Sequence, residues 1–162
     1  MRNVVSSIEA EFRKYKKLGE IAIGQLTDDE IAAPAAEGGN TVASLVWHLS
    51  GNLKSRFTDF LTTDGEKPWR NKEEEFRHRR VTHDELLERW NDGWATLFQS
   101  LEQLQDVHLD NVVMIVGKAH RIDEALHRAL AHASYHVGQI VFIAKTRRAG
   151  SWKSSKSFGE TK

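Results

Sequence analysis

Apolar residues recur at three- and four-residue steps in four stretches of the chain, which is the period of an amphipathic helix. The first stretch runs from about Asn3 to Leu26, with Val5, Ile8, Phe12, Tyr15, Leu18 and Ala22 on one face. The second begins after Thr41, whose hydroxyl suits an N-cap, and runs to about Thr62. Thr82-His83-Asp84-Glu85 reads as a capping box, with hydroxyl and carboxylate each satisfying a backbone donor. It opens the third stretch, through Leu86, Trp90, Trp94, Leu97 and Leu101 to about Leu104. The fourth covers about Ile122 to Thr146.

The connections are less regular. Thr27-Asp28-Asp29-Glu30 is a turn with N-cap chemistry, and Pro34 with Gly38-Gly39-Asn40 closes the first connection. Residues 63–80 form a long link with one short helix near Lys72–Phe76, and Trp69 is expected to anchor it against the body. Its Arg77, Arg79 and Arg80 read as a solvated charge run, with cover for an anionic substrate as the alternative. Val112-Val113-Met114-Ile115-Val116, followed by Gly117-Lys118, predicts a small hairpin or an extended link. After Arg147 the chain is rich in Lys, Ser and Gly; Trp152 is its one anchor, and fraying is expected through residue 162. Four helices joined by long connections predict an all-α four-helix bundle with a short hairpin before the last helix.

Composition narrows the function classes. A chain of 162 residues fits a single domain, 1–162, and 40% hydrophobic with 28% charged residues is ordinary for a globular protein. The net charge is zero, so no electrostatic footprint for nucleic acid or membrane is present. Cysteine is absent, which excludes disulfides, a cysteine nucleophile and thiolate ligands, and leaves His and carboxylates for any metal. The first residues carry no apolar stretch of signal-peptide or membrane-spanning length, so a cytoplasmic location is expected.

The candidate chemistry lies in histidines. His132 and His136 are one helical turn apart and leave the same face, a half-site for a divalent transition metal such as zinc, nickel or iron. His48 lies in the second helix. Around His48 and around His132 the apolar residues of each helix fill an arc roughly 60–180° away, so all three imidazoles stand at the rim of a core face on corresponding sides. Two such helices packed side by side point three imidazoles into one cleft; the alternative is three core-edge histidines with ordinary hydrogen bonds. Asn52 and Gln139 share the ligand faces, as outer hydrogen-bond partners or as plain packing amides, and Arg128 is no assured acid or base. His127 lies about 220° from His132 and His78, His83 and His108 sit in links or at a helix start, which leaves His120 as the best-placed further participant. Gly51, inside the second helix, reads as a tolerated residue or as room for a close neighbour.

Three segments resemble the DinB/YfiT-like superfamily of bacterial four-helix proteins: Trp47-His48-Leu49-Ser50-Gly51-Asn52, the run from Phe60 to Lys72, and His132-x-x-x-His136-Val137-Gly138-Gln139-Ile140. The second segment resembles one uncharacterised bacterial subfamily, and the likeness covers about residues 3 to 152. The resemblance implies a metal held by His48, His132 and His136, adjacency of the second and fourth helices, and an open coordination position. It also implies transfer of a low-molecular-weight thiol to an electrophile, and a homodimer. Trp90 and Trp94, on one side of the third helix, would serve that dimer or else belong to the core. Other function classes remain: a metal-dependent hydrolase or isomerase of a small molecule, or a non-enzymatic metal-binding stress-response bundle. Metal binding is expected to weaken as pH falls through about 6.5, where free imidazole protonates.

Overall fold

Four long helices build the core of the computed structural model, which describes residues 1–154 and Lys156. They are α1 (Asn3–Ile23), α3 (Val42–Phe57), α5 (His83–Glu102) and α6 (Ile122–Arg148). Two short helices, α2 (Asp28–Ala32) and α4 (Lys72–Glu75), lie in the connections. A two-stranded antiparallel hairpin, β1 (Val112–Ile115) and β2 (Lys118–Arg121), precedes α6 and pairs Val113 with His120. The all-α bundle with a hairpin before its last helix is the architecture the periodicity predicts. The expected ends of the first two long helices overshoot: α1 stops three residues before Leu26, and α3 stops at Phe57 where Asp59 takes a φ of 48°. Leu26 and Phe60 remain buried although they have left the helices, which is why periodicity alone extended both.

Capping chemistry sets several helix starts. Thr27 with Glu30, Thr41 with Ser44, and Thr82 with Glu85 each form a reciprocal capping box. The open end of α1 is closed from across the bundle, where the Asp106 carboxylate accepts the Val4 and Val5 N–H groups at 3.1 and 3.0 Å. Arg2 returns the arrangement by donating to the Leu101 and Leu104 carbonyls, both at 2.9 Å, at the end of α5.

Helix directions follow from pairs of contacts. Ser50 Oγ donates to the Arg89 carbonyl and Ser100 Oγ to the Phe57 carbonyl, so α3 and α5 run parallel. Arg2 reaches the Leu101 and Leu104 carbonyls whereas Gly19 packs against Trp90, with Phe12 edge-on to Trp94 between them, so α1 and α5 run antiparallel. A parallel pair needs a return connection the length of a helix, about 24 Å for α3. Residues 58–82 are that return, and they travel back along α3.

The anchors of this return differ from the expected one. Trp69 is 55% exposed, whereas Lys67 is 8% exposed and donates to the Ser55 and Asp64 carbonyls. Lys67 is buried because its ammonium satisfies the Ser55 carbonyl left open at the end of α3 together with the Asp64 carbonyl of the return, two acceptors that the single N–H of an indole could not serve. The Asp64 carboxylate accepts the Val116 and Gly117 N–H groups at 2.8 and 2.7 Å, which pins the tip of the hairpin to the return. The tail is also tied further than expected. Trp152 packs against the core and Lys153 exchanges two hydrogen bonds with Gln25; the rest of the expected fraying, at Ser155 and residues 157–162, lies outside the described residues.

Trp90 and Trp94 are each 1% exposed, in van der Waals reach of one another within the core. They are internal because α5 is flanked by α1 and α3, and they offer no surface to a second copy. Close approach of α3 and α5 depends on Gly93: a Cβ there would stand 2.7 Å from both Cα and Oγ of Ser50. Gly93→Ala is therefore expected to lower unfolding stability by about 2 kcal/mol despite alanine's better helix propensity. Denaturant unfolding checks this, and an unchanged midpoint would show that the two helices have slack.

Candidate metal centre

His48 leaves α3 and His132 and His136 leave α6, all from the core-edge positions that the arcs assign. The helices run antiparallel and bring the three rings together. His132 Nε2 lies 3.2 Å from His48 Nε2 and 3.1 Å from His136 Nε2. Tetrahedral zinc with Zn–N bonds of 2.0–2.1 Å requires ligand nitrogens about 3.3 Å apart, so the cluster needs only small adjustment to hold an ion.

The outer nitrogens settle which atoms face inward. His48 Nδ1 donates to Glu75 Oε2 at 2.9 Å, and His136 Nδ1 donates to Gln139 Oε1 at 2.7 Å. Each neutral ring therefore presents an Nε2 lone pair to the centre. A proton on His132 Nε2 can serve only one of them, leaving the other lone pair unsatisfied. His132 Nδ1 is buried without a partner among the described residues. Three convergent nitrogens in that state are satisfied together by one cation and not by hydrogen bonds among themselves, which favours the metal alternative over ordinary core-edge histidines. They are also the set of potential metal-holding side chains found among the described residues.

Electrostatics agree with neutral rings at His132 and His136. Burial first, and then the neighbouring His136, His48, Arg70 and Arg56, together lower the pKa of His132 to about 3. Burial lowers His136 as well, against the raising effect of Gln139. Burial alone would raise Glu75, but hydrogen bonds from His48 and Arg70 outweigh it and keep the carboxylate below its usual range.

Glu75 is the functional residue that sequence reasoning missed. It stands in α4 on the return connection, and its side chain is 5% exposed. Arg70, whose side chain is 4% exposed, donates to Glu75 Oε1 at 2.8 Å and Oε2 at 3.1 Å. The Phe76 ring covers His48 with centroids 4.6 Å apart. Gly51 makes the arrangement feasible, because a Cβ there would overlap the Glu75 carboxylate. A glycine inside a helix next to a ligand was the available signal, and its occupant is this carboxylate.

Other expectations resolve plainly. Gln139 is an outer hydrogen-bond partner of His136. Asn52 lines a cavity beside His132 together with Arg128. His120 pairs with Val113 in the hairpin and takes no part in the cluster, because the strand ends before α6 turns its ligand face inward. His127 bonds to the Asp123 carbonyl on the exposed side of α6. Of the link arginines, Arg77 pairs with Glu74 and Arg79 lies over the Trp47 ring; neither reaches the cluster, and Arg70 does so in their place.

A helical bundle with a hairpin before its last helix and three histidines between two facing helices belongs to the DinB-like class of folds. Two solved structures share it. A DinB-like protein from Bacillus cereus ATCC 10987 superposes with a TM-score of 0.69 at 16% identity, covering 93% of this chain and 95% of that one. A conserved protein from Enterococcus faecalis superposes with a TM-score of 0.67 at 18% identity, covering 90% and 96%. At such identities the likeness is one of fold. The chain belongs to the family described as "Protein of unknown function (DUF1572)", whose model matches residues 1–157. No curated protein matches it. No helix of the described residues is long and apolar enough to cross a membrane.

Proposed function

We propose that the protein is a metal-dependent enzyme that transfers a low-molecular-weight thiol to an electrophile, with one divalent transition metal held by His48, His132 and His136. The observation that carries the metal reading is the convergence of three Nε2 atoms at 3.1 and 3.2 Å with two of the outer nitrogens tied. Such an ion supplies Lewis acidity, lowering the pKa of bound water and deprotonating a coordinated thiol. The donor set suits zinc, nickel or iron.

The protein's own residues divide the remaining work. Glu75 and Gln139 fix the tautomers and ring orientations of His48 and His136, and Arg70 holds Glu75 ionised. Phe76 shields the His48 side of the site from water. The cavity beside His132 is lined by Asn52, Arg56 and Arg128, none of which is a base at neutral pH, and the nearest buried carboxylate is committed to His48 and Arg70. With no free protein base beside the centre, activation of either a thiol or a water rests on the metal itself, and the resemblance to thiol-transferring bundle proteins is what favours the thiol. The proposed partners are a small-molecule thiol, an electrophile and a second copy of the chain, whose contact must avoid the internal Trp90 and Trp94. Thiol consumption by the zinc-loaded protein with an electrophile such as monochlorobimane is the test. Turnover lost in a His136→Ala protein is expected, and ester or amide hydrolysis without thiol consumption would replace this reading with the hydrolase.

A further inference from the structure

Helices α3 and α6 carry polar residues at matched four-residue steps: His48, Asn52 and Arg56 on one, Arg128, His132 and His136 on the other. Residues at such steps share a helix face. Because the helices are antiparallel, His48 meets His132 while Arg56 comes beside Arg128. The polar seam thus runs on from the histidines toward the hairpin end of the bundle. There it opens into a cavity of about 200 Å³, with Asn52, Arg56, Arg128 and His132 on its polar side and Phe57 and Phe60 on its apolar side. Ile115 of β1 forms part of its wall.

The charge in this cavity is not balanced from within. Arg56 is pushed below its usual range by burial first and then by the neighbouring guanidiniums of Arg70 and Arg128, against the opposing pull of Glu66 and Asp64. The acids nearby are engaged elsewhere. Glu75 holds His48 and Arg70, Glu66 pairs with Lys72 at 2.6 Å, and Asp64 caps the hairpin tip. Arg56 donates to the Gly65 carbonyl, which leaves further N–H donors of its guanidinium. Arg128 has neither an acid nor a hydrogen-bond acceptor opposite it among the described residues, and its side chain belongs to an exposed residue at the cavity mouth.

Building on the metal reading above, we infer that this cavity binds the oxyanion of a small-molecule substrate, a carboxylate or a phosphate, through Arg56 and Arg128, with the reactive end of the same molecule directed at His132. Each guanidinium presents the planar fork of N–H donors that oxyanions fill. Arg128 lies one helical turn from His132 and Arg56 two turns from His48, about 6 and 12 Å along the axes, so an apolar linker of about four to six carbons spans the distance. Phe57 and Phe60 provide the surface for that linker.

Hexanoate, hexyl phosphate and hexan-1-ol are matched probes, titrated calorimetrically into the metal-free and the zinc-loaded full-length protein. At least one anion is expected to bind about tenfold or more tightly than the alcohol, in the metal-free protein also, and the tighter anion names the oxyanion. Arg128→Gln should erase the preference while leaving hexan-1-ol binding unchanged, and added salt should weaken only the anions. Arg128 is exposed, so this variant is expected to fold; Arg56→Gln, checked by circular dichroism, is the second. Equal binding of all three probes by a protein that takes up zinc overturns the oxyanion cavity and leaves the metal reading intact. Anion preference in a protein that takes up no zinc overturns the metal reading and leaves the cavity.

Discussion

A His132→Ala protein is expected to lose more than about 100-fold in zinc affinity while keeping its helical circular dichroism. A coordinating nitrogen contributes more than the outer partners, whose loss typically weakens metal sites by about 10–100-fold. The fold should survive because the ring is partly exposed at the rim and the hydrophobic core does not depend on it. Elemental analysis of untagged protein checks the result, and full metal content in the variant would refute the site. The pH dependence of the native protein is part of the same prediction. Protons compete with a metal only where the folded site accepts them, and burial together with the neighbouring His136, His48, Arg70 and Arg56 holds His132 neutral down to about 3. Proton competition at His132 is therefore expected only well below pH 6.5. The sign for stability follows from linkage. The unfolded chain takes up a proton near pH 6.5 that the folded His132 refuses until about 3, so the unfolded state binds more protons across that window. Stability of the metal-free protein should thus be fully present above about pH 6.5 and fall as the pH drops toward 3.

Gly51→Ala is expected to weaken zinc binding by about 10–100-fold although Gly51 touches no metal. Its new Cβ would stand where the Glu75 carboxylate is, so the carboxylate must leave His48 Nδ1. The substitution isolates a positioning role, because alanine otherwise favours the helix by about 1 kcal/mol. Glu75→Gln provides the milder companion: it retains an acceptor oxygen for His48 but removes the charge that polarises the ring and pairs with Arg70. The expected order of affinity is wild type, then Glu75→Gln, then Gly51→Ala, measured by competition with a chelator. Equal affinities across the three would mean that His48 is oriented by α3 alone.

Much of this protein was legible in its sequence because helices are local. The periodicity of Val5, Ile8 and Phe12, or of Leu45, Leu49 and Leu53, needs no knowledge of the partner helix, and the same arithmetic places His48, His132 and His136 at core edges. Thr41 as an N-cap, and Thr82 with Glu85, marked helix starts for the same reason. The hairpin was visible in its β-branched run and in Gly117.

Tertiary structure decided what local periodicity cannot carry. The return connection has no repeating pattern, so nothing in it distinguishes Glu75 from Glu73 or Glu74. Only the approach of that segment to α3, 27 residues away in sequence, selects the one carboxylate that meets His48. Lys67 took the anchoring place expected of Trp69 because the open Ser55 carbonyl at the end of α3 rewards an ammonium, and that carbonyl is open only where the helix happens to stop. Trp90 and Trp94 became core because α5 is enclosed by two neighbours, a property of packing and not of α5 itself. The stripes His48–Asn52–Arg56 and Arg128–His132–His136 could each be counted along the chain. That they face one another, antiparallel, with the histidines matched at one end and the arginines at the other, follows only from the docking of two helices whose sequences do not encode each other's direction.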